Sequence, residues 1–158
     1  RVMVAGGRWP IDDAASAMVV QVLEIQGAEA GRMNHTQLNQ AKLAKVDLEG
    51  VDTVVLSYLH PSSLNHARYA VQRVKRAKSG IRVGLFMPSQ PEDMDGAAIA
   101  KRVNADFVAA TIYQVASEAL AEKATARPAL KRKRPRVAVR PKSPAKAGAK
   151  APAQSAKA

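Results

Sequence analysis

Apolar periodicity runs through the first 126 residues and stops at Arg127. Only the part before that point has the means to bury a core. From Arg127 to Ala158 Pro, Ala, Lys and Arg dominate, and the segment holds eleven of the 25 basic residues and no Asp or Glu. That leaves 14 basic against 13 acidic residues in the preceding part, which is close to neutral although the whole chain carries a net charge of +12. A segment of the second kind cannot bury enough surface to offset its ordering entropy, so residues 127–158 are expected to be a disordered basic tail. Residues 1–126 have the length of one compact domain.

Within residues 1–126, short β-rich runs alternate with longer helical patterns. Val2 to Ala5 reads as a first strand. Asp12 to Gln26 reads as a helix carried by Ala15, Met18, Val19 and Val22, with Gly27 as its stop. Ala28 to Met33 is a weak second strand, and Thr36 to Lys45 a short helix on Leu38, Ala41 and Leu43. Thr53 to Tyr58 is a continuous apolar run of the kind buried on both faces. A helix from Pro61 to Lys78 on Leu64, Ala67, Val71 and Val74 follows, then a strand from Arg82 to Met87. A helix from Glu92 to Val103 on Ala97, Ala98 and Val103, a strand from Phe107 to Ala110 and a helix from Gln114 to Lys123 close the series. This alternation predicts an α/β fold: one doubly wound domain whose five-stranded parallel sheet, in the order 2-1-3-4-5, is flanked by helices.

No cysteine is present, which removes disulfide scaffolds and thiolate metal sites. No apolar run approaches the ~20 residues needed to cross a bilayer. Residue 1 is Arg, and a strand begins at once, so the sequence reads as a piece of a longer chain.

In doubly wound sheets ligands meet the carboxyl ends of the strands. The first such loop, Gly6 to Asp13, offers two glycines and Arg8 to a phosphate, or else a tight turn in which Asp12 or Asp13 caps the helix. It matches neither common glycine-rich nucleotide motif. Trp9 either stacks on a ligand or plugs the loop from below, and the methionines read as core. The loop from Ser57 to Ser63 contains Ser57, His60, Ser62 and Ser63, yet nothing supplies a base with a third group to orient it. Ser62 or Ser63 is more simply a helix cap. His35, His60 and His66 lack metal-ligand spacing, so no metal is expected. Arg8, Trp9, Ser57, His60 and Ser62 remain as candidate ligand contacts; no catalytic residue and no cofactor is assigned.

Phospho-receiver domains share this fold but need an Asp at the end of the third strand. Here that strand ends Leu56-Ser57-Tyr58, and no carboxylate occurs from Thr53 through Pro91. The same interval contains Arg68, Arg73, Lys75, Arg76, Lys78 and Arg82. They form either a basic surface for an anionic partner or a solvated face balanced by acids elsewhere.

Three stretches, Pro10 to Met18, Gln26 to Ala30 and Asp47 to Leu59, together with Arg82 to Phe86 and Asn104 to Asp106, resemble the C-terminal soluble domain of permeases of the autoinducer-2 exporter family. That domain is similar in turn to cobalamin-binding domains, which carry an Asp-x-His-x-x-Gly loop after the first strand. The stretch here, Gly7-Arg8-Trp9-Pro10-Ile11-Asp12, has no His to ligate cobalt. The resemblance implies an inner-membrane protein with this part on the cytoplasmic side, joined to a membrane-spanning part of the same chain. Taken with the empty catalytic inventory, it leads to the expectation of a regulatory or interaction role rather than an enzyme.

The tail suggests partners of its own. Lys131, Arg132, Lys133, Arg134, Arg136, Arg140 and Lys142 form its dense cationic part. The Pro141 to Pro152 stretch resembles the tails of linker-histone-type proteins. Such a segment is expected to adhere to an anionic membrane surface or, alternatively, to nucleic acid by nonspecific phosphate neutralisation.

Overall fold

The computed structural model describes residues 1–121. The expected tail, its seven candidate anionic-surface contacts and the last five residues of the expected domain lie outside the described residues. Five parallel strands form one sheet in the order β2-β1-β3-β4-β5. They are β1 (Val2–Gly6), β2 (Ala30–Met33), β3 (Thr53–Ser57), β4 (Arg82–Phe86) and β5 (Phe107–Ala109). The helices are α1 (Pro10–Ile25), α2 (Gln40–Leu43), α3 (Leu64–Ala77), α4 (Gly96–Val103) and α5 (Ile112–Leu120). The predicted fold class and strand order are therefore observed.

The two central strands explain the pattern. Every residue of β1 and of β3 is buried, because helices cover both faces of the sheet. Alternation along β3 sends Val54 and Leu56 into one core with α3 and α4, and Val55 into the other with α1 and α5. The registers Val4↔Val55 and Leu56↔Leu85 carry this layering across the sheet.

The helices differ from the sequence reading mainly at their starts. The expected helix from Thr36 is a 3-10 turn, His35–Leu38, followed by α2, because the Asn39 side chain accepts the Ala41 N–H at 3.0 Å and restarts the chain there. The expected helix from Glu92 begins at Gly96, where Asp95 accepts the Ala98 N–H at 2.7 Å. Its buried positions are Ile99 and Val103; Ala97 and Ala98 are exposed. Pro61–Ser63 is a 3-10 turn ahead of α3, whose expected apolar stripe is buried as read. In α1 the buried stripe is Ala15, Val19 and Leu23, and Met18 faces outward. Met18 was expected in the core; it falls one position off the inward face.

Four of the six basic residues between Thr53 and Pro91 have partners within the fold. Lys75 pairs with Asp106 at 3.1 Å, and Arg82 with Glu118 at 3.1 Å. Lys78 donates to the carbonyls of Leu48 and Val51 at 2.9 and 2.6 Å, and Arg73 reaches the Leu38 carbonyl at 3.4 Å. This favours a balanced face over a dedicated anion-binding surface.

Gly84 in β4 lies beneath the Phe107 ring, which occupies the place a Cβ would take. The Arg82 guanidinium covers that ring from outside, 4.7 Å from its centroid. Gly84→Ala is expected to destabilise the domain by ~1–3 kcal/mol through overpacking. Urea denaturation checks this, and pairing the change with Phe107→Ala should recover part of the loss.

Candidate functional site

The loops at the carboxyl ends of β1, β2 and β3 meet around the start of α1. Pro10 occupies the first helical position, where its missing N–H costs nothing. Trp9 before it is extended, and Asp12 stands at the third helical position. The Asp12 carboxylate turns back and accepts three backbone N–H groups: Arg8 at 2.8 Å, Trp9 at 3.0 Å and Leu59 at 3.0 Å. Two donors lie in its own loop and the third in the loop after β3. Asp12 is 1% exposed. A buried carboxylate is tolerated here because donors surround it and the helix dipole favours negative charge.

The neighbouring Asp13 works in the opposite direction. It accepts the His35 backbone N–H at 2.7 Å and the His35 Nδ1–H at 2.6 Å. His35 follows β2. The two adjacent carboxylates thus bind α1 to the loops of both strands that flank β1. Of the two, Asp12 takes part in capping α1, by accepting the Trp9 N–H, and Asp13 does not; the reach of the pair across to β2 and β3 is not visible as local spacing.

The phosphate alternative for the glycine loop is answered by the same contacts. The Gly7 N–H donates to the Ser57 carbonyl at 2.8 Å, and the next two amides are held by Asp12. A carboxylate of the protein itself stands where a bound anion would need those donors. Gly7 is required for a different reason: the Tyr58 ring fills the space of a Cβ, so the loop lies flat on that ring.

Tyr58 is buried, and its hydroxyl meets His66 Nδ1 at 2.9 Å. Burial, and then the Asp12 charge, push the Tyr58 phenol far up, so it stays an O–H donor. His66 is the acceptor and is held neutral. Burial, then Arg8 and Arg73, push its imidazole below the ordinary 6.5.

Of the five candidate ligand contacts, the structure joins two pairs. Arg8 lies over the Trp9 ring, 4.8 Å from its centroid, and both are exposed. Trp9 is half exposed and does not plug the loop. The His60 Nδ1 accepts the Ser62 hydroxyl at 2.7 Å and the Ser62 N–H at 3.2 Å. His60, rather than Ser62 or Ser63, therefore caps the turn before α3. Ser57 is fully buried, and its Oγ is a buried side-chain polar atom with no hydrogen-bond partner. No group of three His, Asp or Glu able to hold a metal occurs among the described residues. Sequence reasoning missed the Tyr58–His66 and Asp13–His35 pairs. The eight-residue spacing of the first, across a turn and a helix start, gives no recognisable signal.

A groove lies elsewhere, between α3 and the segment after α2. It measures about 530 Å3; Leu43, Val46 and Leu48 contribute its apolar part, and Arg73, Arg76 and Glu49 its charged part.

No family model and no curated protein matches this sequence. Among solved structures, the chain is similar to a novel cobalamin-binding protein from Desulfitobacterium hafniense DCB-2, with a TM-score of 0.58 and 16% identity. The match covers 74% of this chain and 55% of that one. The likeness establishes a shared flavodoxin-like fold, and this chain spans about half the length of that neighbour. The loop after β1 does not fit cobalt ligation, because Gly7, Arg8 and Trp9 offer no imidazole and their amides are committed as described.

Asp12→Ala should leave three amides without an acceptor and cost about 3 kcal/mol or more, with Asp12→Asn intermediate, in chemical denaturation. His66 supplies the pH dependence. Its folded-state value is depressed, so its contribution is complete above the unfolded value of 6.5 and is lost as pH falls from there through the lower folded value. Thermal melts over that acid window should show a shallower loss of stability in His66→Gln than in the parent.

Proposed function

We propose that this chain is a non-catalytic regulatory or interaction domain of a membrane permease, held on the cytoplasmic side, with its cationic tail against anionic lipid. The observation that carries the reading is charge segregation. A near-neutral domain is followed by 32 residues with eleven positive charges and no negative one. Each basic residue near an anionic leaflet contributes about 1 kcal/mol, so a handful suffices for stable adhesion.

The strand-end geometry supports the non-catalytic part. The titratable groups there bond to backbone or to one another: Asp12 to amides, Asp13 to His35, Tyr58 to His66 and His60 to Ser62. A nucleophile with an oriented base is not among these pairs. The permease assignment itself rests on the sequence resemblance. Among the described residues no helix is long and apolar enough to cross a membrane, so the membrane-spanning part would be another segment of the same protein.

The full chain is expected to co-float with vesicles containing phosphatidylglycerol and not with phosphatidylcholine alone. Binding should weaken with salt and disappear when residues 127–158 are removed. Undiminished binding after that deletion would refute the lipid role. Gel-shift titrations of duplex DNA at the same ionic strength separate the other partner class. Tighter tail-dependent binding to DNA than to vesicles would make nucleic acid the target.

A further inference from the structure

Seven large hydrophobic side chains are exposed among the described residues, and six of them belong to α1, α5 or the residue leading into α1. They are Trp9, Ile11, Met18, Ile25, Tyr113 and Leu120. The two helices pack side by side on one face of the sheet, with Ala15, Val19 and Leu23 of α1 and Val115, Ala116 and Ala119 of α5 turned inward to the same core. Their outward faces therefore lie on the same flank and carry these six side chains among polar ones such as Gln21, Glu24, Ser117 and Glu118.

The outward line of α1 has a definite spacing. Ile11, Ala14, Met18, Gln21 and Ile25 are all exposed, at successive steps of three, four, three and four residues. This is the seam of a helix that packs against another helix. Ile25 is 84% exposed and Met18 56% exposed, which is unusual for side chains repeated on one face. On α5, Tyr113 and Leu120 continue the pattern one heptad apart, with Tyr113 76% exposed.

We propose that this face is the interface of a two-fold symmetric homodimer in which α1 packs antiparallel against α1 of a second copy. Met18, at the centre of the seam, lies on the axis. Ile11 of each copy meets the partner subunit's Ile25. Antiparallel packing also sets each helix dipole against its opposite.

Charge argues for this occupant. Helix α1 contains no Lys or Arg, and its acids are Asp12 and Asp13, both engaged inward, and the exposed Glu24. A membrane-surface helix needs basic residues flanking its apolar face, and α1 has none. Arg8, by contrast, stands exposed just before the start of α1, and Glu24 stands near its end. The antiparallel arrangement brings each Arg8 towards the partner subunit's Glu24. A parallel one would set like charges together.

Sedimentation velocity of the full chain near physiological salt, over a micromolar concentration series, tests this. The parent should show a reversible monomer–dimer equilibrium. Met18→Arg places two like charges on the axis and should weaken dimerisation at least ~100-fold with an unchanged far-UV circular dichroism spectrum. Arg8→Glu alone should weaken it as well, and Arg8→Glu with Glu24→Arg should restore it. A parent that stays monomeric throughout, or a Met18→Arg variant that still dimerises, overturns the proposal. Failure of the charge exchange to restore association overturns the antiparallel arrangement.

Discussion

Two adjacent carboxylates at the start of α1 decide how the loops of this domain are arranged. A parallel sheet with the order 2-1-3 puts β1 between its two neighbours, and the chain leaving β1 must turn directly into a helix. Successive residues at a helix start point about 100° apart. Asp12 is thereby aimed at the loop after β3 and Asp13 at the loop after β2. One helix start fixes three strand ends. Gly6 is part of the same device, since a Cβ there would come within 2.7 Å of the Asp13 amide nitrogen. The close approach of α1 to β1 depends on that missing side chain.

The clamp has a chemical cost. The edge of a doubly wound sheet owes its versatility to free amides and mobile side chains at the strand ends. Here the amides after β1 serve Asp12, and the imidazoles of His35, His60 and His66 each use Nδ1 within the protein. Order has been taken at the expense of available binding groups. Ser57, at the end of the central strand, is the exception, since its buried Oγ faces no partner. The domain shares its fold with a cobalamin-binding protein, and its loop after β1 carries no imidazole.

Much of the architecture was legible because β1 and β3 are buried on both faces and so read as unbroken apolar runs. Helix α3 was equally clear, since its inward positions are apolar and its outward ones, Tyr69 apart, are mainly polar. Helix α1 misled at Met18 because it is apolar on both sides, and periodicity cannot say which of two apolar faces is inward. The starts of α2 and α4 were misplaced for a local reason. Asn39 and Asp95 are good caps inside stretches that otherwise favour helix, and one side-chain hydrogen bond sets the boundary. The candidate site was least legible. Its contacts join residues 22 and 47 positions apart, a distance over which one sequence carries no pairing information.

The short outer strands bear on how the domain can meet other proteins. Strand β5 has three residues and β2 four, against five in each of the three between them. A rim that brief presents few unpaired main-chain groups, so an incoming extended segment gains little by zipping onto it. Fibril-like stacking and peptide capture by sheet extension are disfavoured in the same stroke. The helical flanks, rather than the sheet rims, offer another chain the broader surface.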